Sequence, residues 1–245
     1  MEPVESMEPR LRVFVAGATG VIGRALVPLL LRAGHTVTGT TRSPQRAEAL
    51  ARAGAHPVIV DVYDGVALCE AVERARPDVV VHQLTDLPDR MTPEERPAAL
   101  ERNARIRVEG TNNLLVAAVA AGVGRVVAQS IAFIYAPGPL PHVEDAPLLP
   151  GPSTDAVRAL ENGVTSTDGI AGVALRYGRL YGPGTWTPVP EGTSPLHVDA
   201  AAHAALLAIH RGTSGIYNIA EDVDGVVSIE KARRELGFDP AYRCS

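Results

Sequence analysis

Gly17-Ala18-Thr19-Gly20-Val21-Ile22-Gly23 decides how this chain is read. It stands between an apolar run, Leu11-Arg12-Val13-Phe14-Val15-Ala16, and a helical pattern, Arg24-Ala25-Leu26-Val27-Pro28-Leu29-Leu30-Leu31. The order is strand, glycine turn, helix. Such a turn lets the backbone come close to a pyrophosphate, while the unpaired amides of the next helix and its dipole attract the negative charge. The spacing is GxxGxxG, and a tight turn that needed only glycine dihedrals would use the same residues. The strand-to-helix setting favours a dinucleotide, with Gly17, Thr19, Gly20, Val21, Ile22 and Gly23 around its phosphates.

The 245 residues suffice for one domain with a sizeable core, and 46% apolar with 21% charged residues is an ordinary globular composition. A net charge of -5 provides no basic stripe for nucleic acid or an anionic membrane. Cys69 and Cys244 form no metal-binding spacing, no metal is expected, and a reduced, cytoplasmic setting fits them. Residues 1–10 are acidic, lack a signal-peptide pattern and read as a disordered tail. No apolar run reaches the roughly 18 residues of a membrane span; Leu114 to Val123 reads as a buried helix.

Apolar β-rich runs and helical patterns then alternate. Strands are expected at 36–41, 56–61, 79–82, 126–130, 173–177 and 215–219. Helices are expected at 45–53, 66–76, 94–121, 154–162, 199–210 and 228–236. Val/Ile/Ala runs without alternation suit strands covered on both faces, and right-handed crossovers between them give an α/β, Rossmann-like, doubly wound parallel sheet. After Tyr135 the prolines at 137, 139, 141, 147, 150 and 152 enforce a loop. Residues 11–245 thus form a single NAD(P)-binding domain with a small substrate lobe, about 136–155 and 182–198 plus the carboxyl-terminal segment.

Strand ends supply the remaining candidates. Arg42, followed by Ser43, stands where a carboxylate would bind the adenosine 2'-hydroxyl and an arginine pairs instead with a 2'-phosphate. It predicts NADP, with NAD as the alternative if Arg42 is only an exposed residue before a helix. Asp61, followed by Val62, is placed either to accept from an adenine amino group or to cap the next helix. Gln83, Leu84 and Thr85 after the fourth strand, and Gln129 and Ser130 ending the fifth, complete the cofactor set.

Gly17 to Gly23, Asp61, Val108-Glu109-Gly110-Thr111-Asn112-Asn113-Leu114-Leu115 and Leu175-Arg176-Tyr177-Gly178-Arg179-Leu180-Tyr181-Gly182-Pro183-Gly184 together resemble an extended short-chain dehydrogenase/reductase. More narrowly, the chain is similar to the NAD-dependent epimerase/dehydratase group, whose HVDD and carboxyl-terminal segments are matched by His197-Val198-Asp199 and Ala232 to Pro240. The resemblance implies an oxidoreductase or epimerase acting on a small carbonyl or sugar-like substrate. It also implies a catalytic YxxxK pair, in which Lys lowers the phenol pKa and the phenolate moves the proton that accompanies hydride. Aligned on Glu161, the Tyr position is Ser153 and the Lys position is Val157. The serine position four before Tyr135 is Ile131, and the segment from Gly184 to His197 is short.

Three readings follow. A working oxidoreductase would use another hydroxyl, with Ser130, Tyr135 and Tyr177 as catalytic candidates near strand ends; each has a duller role, as cofactor contact, loop packing or pocket wall. A silent NADP-binding sensor would need no acid. A non-redox isomerase or cyclase would keep the cofactor as structure. His82 is read as shaping the cofactor site, His197 and Asp199 as helix-entry residues with Asp199 near the cap. His203 and His210 lie on one helical face without a third ligand. Trp186 either walls the pocket or covers the core edge. The helical stretch 94–121 offers a homodimer face.

Overall fold

The computed structural model describes residues 8–88 and 90–244. Seven parallel strands form one sheet in the spatial order β3-β2-β1-β4-β5-β6-β9. They are β1 (Arg12–Ala16), β2 (Thr36–Thr41), β3 (His56–Ile59), β4 (Val79–His82), β5 (Arg125–Ile131), β6 (Ala171–Tyr177) and β9 (Gly215–Ile219). Chain order reverses between β1 and β4, which opens a crevice at their carboxyl ends.

The lack of alternation in the strands has a direct structural cause. In β1, Val13 and Val15 face one core while Phe14 and Ala16 face the other, all four essentially inaccessible. One face carries α1 (Val21–Arg32) against the alanine-rich α7 (Val198–Ala208), and also α2 (Pro44–Arg52) and α8 (Glu230–Leu236). The other carries α3 (Gly65–Ala75), α4 (Arg96–Arg105), α5 (Thr111–Ala120) and α6 (Pro152–Ser166).

Several expected elements differ in detail. The helical stretch 94–121 is α4 and α5 joined through a π-helical turn, Ile106–Gly110. Gly110 fits there because a Cβ would lie 3.1 Å from Ile106 and 3.3 Å from Val62. β3 ends at Ile59, so Asp61 lies in the following turn. Its Oδ1 accepts from Tyr63 N at 3.0 Å, and it is Asp64 that caps α3 by accepting from Ala67 N at 3.0 Å. α6 extends well past 154–162, and α7 ends before His210.

A two-stranded parallel pair, β7 (Arg179–Tyr181) with β8 (Pro195–His197), was not expected from the sequence; three-residue strands carry too little periodicity to be seen. His197, rather than Asp199, caps α7: its Nδ1 accepts from Asp199 N at 3.2 Å. Residues 1–7 of the expected tail lie outside the described residues, whereas Glu8 is held by Arg211 at 2.8 Å. Among the described residues no helix is long and apolar enough to cross a membrane.

Candidate functional site

The crevice between β1 and β4 begins at the glycine turn. Gly17 adopts φ +86°, and a Cβ there would lie 2.7 Å from Gln83 O. At Gly23 a Cβ would come within 2.6 Å of the Ala18 carbonyl carbon. Gly17 N donates to Thr40 Oγ1 at 3.2 Å and Thr19 Oγ1 to Thr41 Oγ1 at 3.3 Å, which ties the turn to the end of β2. Gly20 caps α1 without a side chain, so the first amides of that helix remain open to an anion.

The turn opens on a cleft of about 320 Å³. Gly17, Thr19, Gly20, Arg42 and Ser43 line its first half; Asp61, Val62, Gln83, Leu84 and Thr85 line the second. Val21, Ile22 and Gly23 form the first turn of α1 beneath it, with Ile22 and Gly23 buried. Ser43 also caps α2, accepting from Arg46 N at 3.3 Å. The cleft continues past Arg42 and Asp61 into a hollow of about 360 Å³ floored by Ile59 and Ala67. Sequence reasoning missed Arg46, Tyr63 and Ile106, which also line the cleft. A second arginine four positions after Arg42 was the signal available for the first of these.

These residues fit a dinucleotide. Buried Gln83 leaves its Oε1 without a partner, while its Nε2 donates weakly to Tyr177 Oη at 3.4 Å. A buried unpaired amide oxygen is costly unless a ligand meets it. Gln129 adjoins through Nε2 to Leu84 O at 3.4 Å. His82 is buried beneath: Nδ1 accepts from Leu84 N at 3.2 Å and Nε2 pairs with Thr111 Oγ1 at 3.0 Å. Burial pushes its pKa down to about 4, so it is neutral and shapes the β4 end.

Beyond β5 the polar groups serve one another. Arg176 Nε and Nη2 donate to the two oxygens of Glu161 at 2.7 Å each, and both side chains are only 3% exposed. Ser130 Oγ donates to Glu161 Oε1 at 2.6 Å and so turns away from the cleft. Tyr135 Oη accepts from Arg176 Nη1 at 2.8 Å and donates to Asn218 Oδ1 at 2.6 Å, its ring stacked on His142. Burial raises the Tyr135 pKa against the opposing pull of Arg176.

Tyr177 stands apart from this network, at the cleft's inner end. Its hydroxyl has no acceptor among the described residues, and burial raises its pKa well above the usual phenol range. On α6, Val157 is fully inaccessible and Ser153 half-buried. Trp186 Nε1 donates to Pro88 O at 3.1 Å and Arg24 Nη2 to Gly184 O at 3.4 Å. Trp186 therefore bridges the 182–194 loop to the segment after β4, half-exposed, rather than sealing the core. His203 stacks on Tyr242, and no group of three metal-ligating side chains occurs among the described residues.

Residues 13–214 match the model of the NAD dependent epimerase/dehydratase family. A "3-diazoavenalumate denitrifying reductase" from a Streptomyces species is 45% identical, covering 86% of this chain and 76% of that protein. A dTDP-4-dehydrorhamnose reductase from Streptomyces griseus is 34% identical over 72% of this chain and 52% of its own. UDP-glucose 4-epimerase from Thermotoga maritima, solved with UDP-glucose, superposes with a TM-score of 0.79 at 19% identity, covering 94% of each chain.

Proposed function

The chain belongs to the NAD-dependent epimerase/dehydratase family, and on that premise we propose that it is an NADPH-dependent reductase of a diazonium-bearing aromatic acid, releasing dinitrogen. Members of this group are NAD(P)-dependent oxidoreductases or epimerases, and solved relatives of the same fold hold NAD. The further step to NADP rests on Arg42, exposed at the end of β2, with Arg46 beside it on the same cleft wall. Two guanidinium groups there suit a 2'-phosphate.

The observation that carries the reaction class is the commitment of the hydroxyls. Carbonyl reduction and sugar epimerisation both need a group that gives or takes a proton at oxygen. Ser130 and Tyr135 are consumed by the Glu161–Arg176 network, and His82 is buried and neutral. Giving up the Tyr177 proton would leave a buried phenolate facing only the Gln83 amide. The site can thus bind and orient a ligand, but among Ser130, Tyr135, Tyr177 and His82 it offers no group poised for proton transfer.

A diazonium group suits such a site. The bound reduced dinucleotide supplies a hydride. Hydride added to the terminal nitrogen would give a neutral aryldiazene; its N–H bond then breaks as a C–H bond forms at the ring carbon, the C–N bond breaks and N₂ leaves, so the sum ArN₂⁺ + H⁻ → ArH + N₂ takes no net proton from the protein. The diazo relative supports this reading at 45% identity, and it favours turnover over a silent sensor or a non-redox isomerase. Tyr177 and Gln83 then act as hydrogen-bonding walls of the cleft. Exposed Val108, Val116 and Val119 mark a face for a homodimer along the π turn and α5.

Steady-state oxidation of NADPH with 3-carboxybenzenediazonium, with evolved N₂ measured and a protein-free control subtracted, tests the proposal. One N₂ per NADPH, and no turnover of aldehydes, ketones or UDP-sugars, is expected. Turnover of a carbonyl or sugar with none of the diazonium would overturn it.

A further inference from the structure

Arg107 lies in the π-helical turn between α4 and α5, adjoining Ile106, which lines the cleft. It is 9% exposed, and its guanidinium donates no hydrogen bond to any described residue. The buried carboxylate whose field it feels, Glu161, is already occupied by Arg176 on two sides and by Ser130 on a third. His82, the other titratable neighbour, is neutral and cannot offset it. Arg107 thus lies in the field of a carboxylate whose hydrogen bonds go to Arg176 and Ser130, at the carboxyl ends of β4 and β5.

Burial pushes Arg107 down to about 10, which still leaves it a cation at neutral pH. A largely buried cation with no hydrogen-bonding partner among the described residues is unfavourable, and an anion that joined it would relieve the cost. The position is informative because α6, across from this turn, presents Val157 where the family's lysine would stand. The positive charge of this corner is delivered from a different element, as a planar fork suited to an oxyanion rather than a point charge beside a phenol.

We propose that Arg107 is the receptor for an anionic oxygen of the substrate, a carboxylate or a phenolate on the ring that bears the leaving nitrogen. The inference rests on the reductase reading above. Anchoring the oxyanion in this corner would fix one end of the aromatic acid beside the inner end of the cleft. The other end would then lie at Gln83 and Tyr177. Arg107 would be a binding and specificity residue, one that moves no proton.

Calorimetric titration of the NADP⁺-loaded protein with benzoate, 4-nitrophenolate and neutral benzamide tests this without turnover. The wild type is expected to prefer one of the two anions over benzamide by about tenfold or more, and the preferred anion identifies the oxygen. Arg107→Met should abolish that preference with NADP⁺ affinity unchanged. If thermal denaturation shows that Arg107→Met does not fold, Arg107→Lys carries the test, with anion affinity dropping and benzamide binding constant. Equal binding of anion and amide by the wild type, or undiminished anion binding by the folded variant, would overturn the inference. Nitrogen release without anion selectivity would remove the role of Arg107 and leave the reductase reading intact; anion selectivity without nitrogen release would do the reverse.

Discussion

The two halves of the sheet treat their polar groups in opposite ways. From β1 to β4 the groups at the strand ends wait for a ligand: Gln83 Oε1 is buried without a partner, the first amides of α1 are open, and Arg42 faces the cleft. From β5 to β9 the groups at the same level are spent on each other, in a chain from Ser130 through Glu161, Arg176 and Tyr135 to Asn218. Unmatched polar groups indicate binding, and matched ones indicate structure. On the function proposed above, the open half would hold the cofactor and the closed half would be scaffold, which is the combination a hydride acceptor with no need for a proton can use.

Breaking the closed half should give the largest effect. Glu161→Gln leaves Arg176 buried beside a neutral partner, and about 3–5 kcal/mol of stability should be lost in urea denaturation. Breaking the open half should act on the ligand instead. Gly17→Ala forces a Cβ toward Gln83 O at 2.7 Å in a left-handed conformation, and calorimetry should show dinucleotide binding weakened by on the order of 100-fold. A Glu161 variant that retained wild-type stability would dissolve the contrast between the halves.

His82 sharpens the comparison through pH. Its folded pKa of about 4 lies below its ordinary value of 6.5, so as pH falls through this interval the unfolded chain takes up a proton that the folded one refuses. Stability should therefore fall between pH 6.5 and 4, by about 3 kcal/mol from this group. Denaturation of His82→Gln across that range should show a correspondingly shallower loss. Smaller again, Arg42→Ala should cost about 10- to 100-fold in NADPH affinity with NADH affinity unchanged, since charge-assisted bonds to a phosphate are lost. Tyr135→Phe should cost about 1–3 kcal/mol of stability by stranding Asn218 and one Arg176 N–H, with kcat unchanged.

The open half was legible in the sequence because its signals are local. A glycine turn between an apolar strand and a helix, or an arginine at a strand end, carries its meaning within a few residues. The parallel sheet was legible for the same reason, through runs such as Val79 to His82 that are buried on both faces. The closed half was not. Nothing near Ser130 in sequence says that its hydroxyl meets Glu161, 31 residues on, or that Tyr135 meets Asn218, 83 residues on. Asp61 lost its capping role because β3 stopped two residues early and Asp64 was there to take it.

Isotope tracing in the hydroxyl variants distinguishes hydride transfer without a protein acid, the reading proposed above, from transfer that needs one. The wild type and the Ser130→Ala, Tyr135→Phe and Tyr177→Phe variants would be given 4-deuterated NADPH and 3-carboxybenzenediazonium in ordinary water, and the benzoate product analysed by mass spectrometry. A primary isotope effect on NADPH oxidation, one N₂ per product and turnover rates within about twofold across the four proteins from pH 6 to 9 are expected, with deuterium at the ring carbon lowered only by exchange of the aryldiazene N–D with water. A loss of about 100-fold or more in any one hydroxyl variant that folds normally would contradict that reading by showing that a side chain of the site supplies a proton.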